Sequence, residues 1–471
     1  MGFFKFISDN LRKIKSSKIK IRPKLEEKKI KSDATTQKTG EDISIRVLHI
    51  SPNAYLVNKA SRLTIGKEEF NSYEDRLKHI EKLMKMGHES ILEHSNIVSL
   101  ISIPIDRICS MGISQVYDLI ELLNRSRYLH IANTNNAGRI NLLIGGSIRG
   151  YMNTIRESKN DNSLAYIFKE ILYSSTEKEF LNRLITRDLI EESKCVYRYP
   201  VELEMTENEE ELVNKDPIDP EPILGEHVDL IYKTNPNTIF KEIHQYGFSY
   251  RDACRVSTIT FLFHDISRAI GNQLVRHRVG ITQESQRYCT HGLDIDKDFI
   301  DPIKMHNGDI RYLDLDKDRI HANIKDPFYN YQYLLDNKIS KEDARYWLPL
   351  GVTTKILMTF TYRQYAQFLN LRLDLHAQRE IRHLAAKTVE LKDGKFNHEE
   401  LYSNFIDPLI EYESKIDLHQ KIKVDDDLDN INTQEIFTQD NSKEEEIKSL
   451  EINSIEDAEK YLRANEEMKN L

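Results

Sequence analysis

The sequence predicts an α+β protein in which small antiparallel sheets pack against long helices. Residues 97–103 and 256–263 are apolar, rich in β-branched side chains and as long as typical buried strands. Other segments repeat their apolar residues at the helical period, with capping residues or glycine at their ends. A weak internal repeat further predicts two diverged copies of one fold.

Charge and composition divide the chain into five parts. Residues 1–43 are predicted to be a basic, disordered tail, or alternatively an amphipathic helix that contacts a membrane or a partner. The first copy is expected over 44–200 and the second over 227–423. Between them, 201–226 contains ten acidic residues, one lysine and several prolines, which is typical of a linker. Residues 424–471 are predicted to be an acidic, disordered tail with a short helix at 455–468.

The overall composition narrows the class of protein. A net charge of −9 over 471 residues argues against a general nucleic-acid binder, so any anion site must be local. The four cysteines form no CxxC pair, which favours neither a disulfide framework nor a zinc site. No segment has the pattern of a signal peptide or a membrane span. We therefore expect a cytoplasmic protein.

The elements follow in chain order. Residues 45–50 predict a strand, and 73–86 a helix that ends at Gly87. Residues 264–279 are interpreted as a helix ended by Gly280, with Arg276 and Arg278 at its C-terminal end and a polar loop over 282–287. Residues 344–382 predict a helix, a break at 371–374 and a second helix, with Asp374 able to cap.

The repeat is visible on the two sides of the linker. Residues 100–128 align with 262–288, and 144–155 align with 358–369. Where the second copy has Arg276, His277 and Arg278, the first has Gln115, Val116 and Tyr117. The alternative is a chance alignment of short apolar segments.

The densest chemistry lies in QLVRHRVGITQESQRY, residues 273–288. Arg276, Arg278 and Arg287 lie within twelve residues, and fixed guanidinium charges repel one another unless a phosphate or carboxylate lies between them. The alternative is a solvated, charged helix end. Arg372, among leucines at the later helix break, is also expected to be half-buried and to need an anionic partner.

A second motif, GHESILEH at 87–94, places His88, Ser90 and Glu93 together. The spacing of its two histidines is not that of a zinc-binding helix, so no metal site is predicted. Together with Arg-His-Arg and Ser-x-Arg-Tyr, an upstream Ser-Arg-Ala-x(3)-Gln and the later Leu-Arg-x-Asp-x-His-Ala-Gln, this order of motifs resembles flavin-dependent thymidylate synthase. The resemblance covers about 47–94 and 259–391.

The resemblance implies that dUMP is converted to dTMP with FAD, NADPH and 5,10-methylenetetrahydrofolate. It places His88 beside the flavin, and Arg372 at the uracil edge, where it favours ionisation at N3. The catalytic residues implied are Arg372, His88 and Ser285, although we prefer a binding role for Ser285 because no general base is evident beside it to make it a nucleophile. The FAD residues implied are Ser90, Glu93, Arg276, His277, Arg278, Gln283, Thr361, Arg363, Gln367 and His376. The dUMP residues implied are Gln273, Arg276, Gln283, Glu284, Ser285, Gln286, Arg287, Arg345 and Arg372.

Three departures from the family pattern qualify these roles. Six residues rather than seven separate Arg-His-Arg from the serine, which leaves Gln283 and Glu284 as alternatives for one contact. Thr361 and Gln367 replace asparagines. The chain is about twice the usual length, so we expect a homodimer equivalent to the family's tetramer, in which the first copy keeps the His88 side and the second keeps the arginine side.

The sequence is also compatible with two other functions. One is a flavoprotein that acts on another pyrimidine nucleotide. The other is a catalytically inactive, nucleotide-binding regulatory protein. No nucleic-acid partner is expected.

Overall fold

The computed structural model describes residues 43–105, 123, 126–157, 180, 201–205, 220–290, 294–301, 317–374 and 376–391. We call 43–205 the first half and 220–391 the second half. The predicted tails, the 455–468 helix and the Gln115, Val116 and Tyr117 positions lie outside the described residues.

The first half is built on a five-stranded sheet in the order β3-β4-β2-β1-β5. Its strands are β1 (Ile43–Ile50), β2 (Ile97–Pro104), β3 (Leu129–Asn136), β4 (Arg139–Gly146) and β5 (Val201–Met205). Its helices are α1 (Asn53–Thr64), α2 (Tyr73–Lys85) and α3 (Ile148–Glu157), with a 3-10 turn at Glu89–His94. The strand predicted at 45–50 and the helix predicted at 73–86 are confirmed. Gly87 follows that helix with φ +79°, a conformation that favours glycine.

The second half is built on a four-stranded antiparallel sheet in the order β6-β7-β9-β8. Its strands are β6 (Val228–Lys233), β7 (Thr258–Ser267), β8 (Gly280–Gln283) and β9 (Thr353–Thr361). Its helices are α4 (Pro236–Ile243), α5 (Tyr250–Val256), α6 (Arg268–Leu274), α7 (Ile295–Asp298), α8 (Lys317–Asp336), α9 (Lys341–Ala344), α10 (Tyr362–Arg372) and α11 (Arg379–Glu390). Short 3-10 turns lie at His244–Tyr246 and Arg345–Trp347.

The predicted helix at 264–279 is wrong at both ends. β7 continues through Ser267, because Ile266 and Ser267 still pair with β9. The Ser267 hydroxyl then caps α6 by accepting from Ile270 N, and α6 ends at Leu274. Arg276 and Arg278 therefore lie beyond the helix, and Gly280 begins a strand rather than ending a helix.

Two other sequence interpretations need correction. The part of the predicted 282–287 loop up to Gln283 is strand β8. Within the part of the 344–382 segment that was predicted to be the first helix, Arg345–Trp347 is a 3-10 turn and Thr353–Thr361 is strand β9, which is buried along almost its whole length. The break is confirmed, since α10 ends at Arg372 and α11 begins at Arg379. The region predicted as a linker begins with β5, which pairs in parallel with β1.

The two halves share their core. Ile231 and Leu357 of the second half pack within the apolar cluster of the first sheet. Another cluster joins the opposite face of that sheet to Ile239, Ile243 and Val256. At the edges, Tyr232 Oη lies 2.6 Å from His49 Nε2, and Arg46 pairs with Glu242 at 3.1 Å. Apolar burial on this scale holds the halves together.

Candidate functional site

The predicted site residues of the second half come from four segments near the β8 edge of its sheet. They are the turn after α6, β8 with the chain up to Tyr288, the 3-10 turn Arg345–Trp347, and α10 with the break that follows it. β8 is held by pairing with β9 from Gly280 opposite Thr359 to Gln283 opposite Ile356. A rigid strand pair thus supports a mostly irregular rim, as expected for a binding site.

An arginine cluster lies on this rim. Arg276 is exposed and Arg372 is half-buried. Burial lowers the pKa of Arg372, and the nearby charge of Arg276 lowers it further. Within the described residues no ion pair joins either arginine to a carboxylate. An anion placed between the two guanidinium groups would relieve their repulsion.

His277 couples to this cluster as a neutral ring. Arg372 Nε donates to His277 Nε2 at 3.0 Å, so the ring proton is on Nδ1. The ring also meets Phe368 edge to face, with 5.1 Å between centroids. Burial, and then the charge of Arg372, lower the pKa of His277 to about 4. His277 therefore fixes the orientation of Arg372 without adding charge at neutral pH.

The chain after β8 is anchored by backbone hydrogen bonds. Glu284 N donates to Lys355 O at 2.9 Å, and Ser285 N donates to Thr64 O of the first half at 3.0 Å. The Glu284 carboxyl is largely buried beside Cys289, and burial raises its pKa. By contrast, Gln283 Nε2 is buried with no hydrogen-bond partner in the described structure. An unsatisfied buried donor is costly, so Gln283 suits a ligand contact better than Glu284 does.

Arg287 and Arg345 converge on Glu342 of α9. Arg287 Nε lies 2.9 Å from Glu342 Oε1, and both side chains are about half exposed, at 49% and 51%. Arg345 Nε donates to the Glu342 carbonyl at 3.1 Å. Such a solvated pair contributes little to stability and can be displaced. Both arginines can therefore turn toward an anion.

Most of the remaining predicted residues of the second half lie on α10 and near the break. Thr361 caps α10 in a capping box with Gln364, and its hydroxyl accepts from Gln364 N at 3.2 Å. Arg363 is partly buried, and Gln367 and His376 are exposed. Gln273 Nε2 donates to Gln378 Oε1 at 2.5 Å. The remaining residue, Gln286, is buried.

The first half reaches this site through the 3-10 turn Glu89–His94. A methyl group added at Gly280 would lie 2.7 Å from the Glu93 carbonyl, so the turn packs directly against the start of β8. The Glu93 carboxylate pairs with Arg149 of α3. His88 and Ser90 are exposed at the start of the turn, and within the described residues no hydrogen bond or ring contact engages the His88 side chain.

Sequence reasoning missed the residues that join the halves here. His94 is fully buried and lies 2.9 Å from the hydroxyls of both Thr282 and Thr359. These partners are 188 and 265 residues away along the chain, so no local pattern indicates them. Glu342, which contacts both Arg287 and Arg345, does not belong to any of the sequence motifs either. No group of residues in the described segments could hold a metal ion.

Comparison with known proteins finds a family match within the second half. The family model described as Thymidylate synthase complementing protein (Thy1) matches residues 230–395. That region is similar to flavin-dependent thymidylate synthases. The match begins within β6 and extends past α11, so it contains the whole arginine cluster. It does not include the first-half GHESILEH motif, whose family role stays a prediction.

Individual flavin-dependent thymidylate synthases match over similar lengths. The enzyme of Saccharolobus solfataricus is 37% identical over 135 residues, which is 28% of this chain and 49% of that protein. The enzyme of Pyrococcus horikoshii is 33% identical over 163 residues, or 34% of this chain and 64% of that protein. The chain thus spans about half the length of the first curated relatives it matches.

A solved structure of thymidylate synthase X from Helicobacter pylori with FAD and dUMP also aligns. It is 16% identical, with a TM-score of 0.30, and the alignment covers 38% of this chain and 99% of that chain. No described helix has the length and apolar character needed to cross a membrane.

Proposed function

We propose that the protein converts dUMP to dTMP as a FAD-dependent enzyme, with 5,10-methylenetetrahydrofolate as carbon donor and NADPH as reductant. The balanced reaction is dUMP plus methylenetetrahydrofolate, NADPH and a proton, giving dTMP, tetrahydrofolate and NADP⁺. The observation that carries this proposal is the cluster of Arg276, His277 and Arg372, unneutralised by any described carboxylate, within the region that matches the family.

The described residues fit a flavin and a nucleotide phosphate. Among the described residues Arg276 and Arg372 have no anionic partner, and Gln283 Nε2 is a buried donor without an acceptor. Ser90, Glu93, Arg278, Thr361, Arg363, Gln367 and His376 complete the proposed flavin set. When bound, reduced FAD supplies the two electrons that turn the transferred carbon into a methyl group.

On the nucleotide side, the chain acts through fixed charge. Arg276, Arg287 and Arg345 hold the phosphate with Gln273 and Gln286. Arg372 stabilises the negative charge that develops on the uracil ring as carbon 5 becomes nucleophilic. Ser285 binds rather than attacks, because its hydroxyl accepts from Arg287 N at 3.3 Å and no described base hydrogen-bonds to it.

We further propose that the two halves are diverged copies of one fold. In each half the third strand in chain order pairs with the fourth, the fourth with the second, and the second with the first. A helix follows the last of these strands in both, beginning after Ser147 in one and after Thr361 in the other. A homodimer would then be equivalent to the family's tetramer. Light scattering tests this, and an active monomer would contradict it.

The test of function uses the purified full-length chain. We expect bound FAD by its absorbance, and release of tritium from dUMP labelled at carbon 5 when NADPH, FAD and methylenetetrahydrofolate are present. Arg372→Gln and His88→Ala should lower the release strongly. The matched control is Lys78→Gln, which removes one charge from an exposed site on α2.

The outcomes separate the alternatives. A flavin-loaded protein that releases no tritium would favour another pyrimidine nucleotide as substrate. A colourless protein that binds dUMP but not FAD would favour the regulatory function. Normal release by Arg372→Gln would refute the role given to that arginine. We further propose a cytoplasmic location for the protein.

A further inference from the structure

His94 links the first half to the proposed site by two side-chain contacts. Its ring is 0% exposed. Nδ1 lies 2.9 Å from Thr359 Oγ1 in β9, and Nε2 lies 2.9 Å from Thr282 Oγ1 in β8. One buried residue of the GHESILEH turn therefore spans two neighbouring strands of the second sheet.

The contact extends to a third strand. Thr359 Oγ1 also lies 2.9 Å from Thr260 Oγ1 in β7. β7, β9 and β8 are adjacent in the sheet, so the chain from His94 through Thr359 to Thr260 crosses its centre. Buried polar groups of this kind are expensive unless every member is satisfied, and they specify one arrangement when they are.

The protonation state of the His94 ring allows it to hydrogen-bond to both threonines. Burial lowers the pKa of His94 to about 3, so the imidazole is neutral at physiological pH. A neutral imidazole has one donor and one acceptor, and each threonine hydroxyl can act as either. Both bonds can therefore be made at once, whichever nitrogen carries the proton.

The two ends of this link carry different parts of the proposed site. The turn that ends at His94 begins beside His88 and contains Ser90. Thr282 directly precedes Gln283, and the chain from there runs through Ser285 to Arg287. The first half makes a second contact with the same stretch, because Ser285 N donates a hydrogen bond to Thr64 O at 3.0 Å.

We propose that His94 is a positioning residue that sets the spacing between the His88 and Ser90 turn and the Gln283 to Arg287 stretch. This assignment rests on the proposed function for its consequence in ligand binding. Its structural part, the coupling of the turn to β8, can be measured on the protein alone.

The first measurement is amide hydrogen exchange across residues 280–288 in the unliganded protein. His94→Phe removes both bonds, and Thr282→Val removes one with almost no change of volume. The matched control is His49→Phe, because His49 is also a desolvated histidine that joins the halves, through Tyr232 of β6 rather than through β8. We expect faster exchange over 280–288 in His94→Phe and Thr282→Val, and no change there in His49→Phe.

The second measurement is the dissociation constant for dUMP in the FAD-loaded protein. Loss of buried hydrogen bonds should weaken binding about ten-fold to a hundred-fold in His94→Phe and less in Thr282→Val, with His49→Phe close to wild type. His94→Gln, which keeps a donor and an acceptor, should recover most of the affinity.

Several results would overturn the assignment. Unchanged exchange over 280–288 in a folded Thr282→Val protein would do so, and so would equal loss of dUMP affinity in the His94 and His49 variants. If the wild-type protein binds neither FAD nor dUMP, the proposed function fails. The exchange measurement still decides the coupling in that case.

Discussion

Acid should destabilise this protein through His94, and the loss in free energy of unfolding can be estimated from the surroundings of the His94 ring. The ring is fully buried and faces two threonine hydroxyls, with burial the only cause of its lowered pKa of about 3. The unfolded chain takes up a proton near the ordinary pKa of 6.5, whereas the folded ring does not. The contribution of His94 to the free energy of unfolding is therefore fully present above pH 6.5 and is lost as the pH falls toward 3.

Between pH 7.5 and pH 5 the loss depends only on titration of the unfolded state. As long as the folded ring stays neutral, this one residue lowers the free energy of unfolding by roughly 2 kcal/mol over that interval. His49 and His130 have pKa values lowered to about 4, mainly by burial, and add losses of the same sign. Such losses are a large share of the stability of an ordinary domain.

The assay is urea unfolding of wild type and His94→Gln at pH 7.5, 6.5 and 5. Glutamine does not titrate, so the variant should lose about 2 kcal/mol less than wild type across this range, whatever its stability at pH 7.5. His49→Gln is the matched comparison, and its loss of unfolding free energy between pH 7.5 and pH 5 should also be smaller than that of wild type. If His94→Gln and wild type lose stability in parallel, the buried ring titrates in the folded state and this reasoning is refuted.

Three further predictions use other parts of the structure. Arg276→Gln should raise the dUMP dissociation constant about ten-fold or more and reduce its salt dependence, measured by calorimetry against Lys78→Gln; equal constants would contradict the anion site. The hydrogen bonds that His264 donates to Asp229 and then to Asp265 raise the pKa of His264 to about 9, so its contribution to stability is present below pH 6.5 and lost as the pH rises through 9. After allowance for its partial exposure, wild type should lose about 1 kcal/mol over that range and His264→Gln almost none, by thermal unfolding. Gly280→Ala places a methyl 2.7 Å from the Glu93 carbonyl and should cost about 1–3 kcal/mol in urea unfolding; an unchanged midpoint would show that the turn does not pack there.

Local pattern was enough for several elements. The apolar stretch at 45–50 located β1, the glycine after Met86 located the end of α2, and Asp374 as a capping residue indicated the break between α10 and α11. Pattern failed at residues 264–279 and 344–361. In both cases pairing between β7 and β9 overrides a helical spacing of apolar residues, and those pairs are about 90 residues apart in the chain.

The chemical character of the candidate site was readable from residue types. Arginine cannot give up its charge, so clustered guanidinium groups indicate an anionic ligand wherever the chain places them. Family motifs then supplied the expected nucleotide and flavin.

Tertiary structure alone decided which arginines are already paired, which buried donor lacks an acceptor and which first-half residue touches the second sheet. Arg287 pairs with Glu342, His94 contacts Thr282 and Thr359, and Gln283 Nε2 has no hydrogen-bond partner in the part of the chain that the structure describes. These facts depend on distances between segments far apart in the chain, and on burial, which removes the solvent that would otherwise satisfy each polar group. A linear pattern records residue types and local spacing, but neither of these quantities.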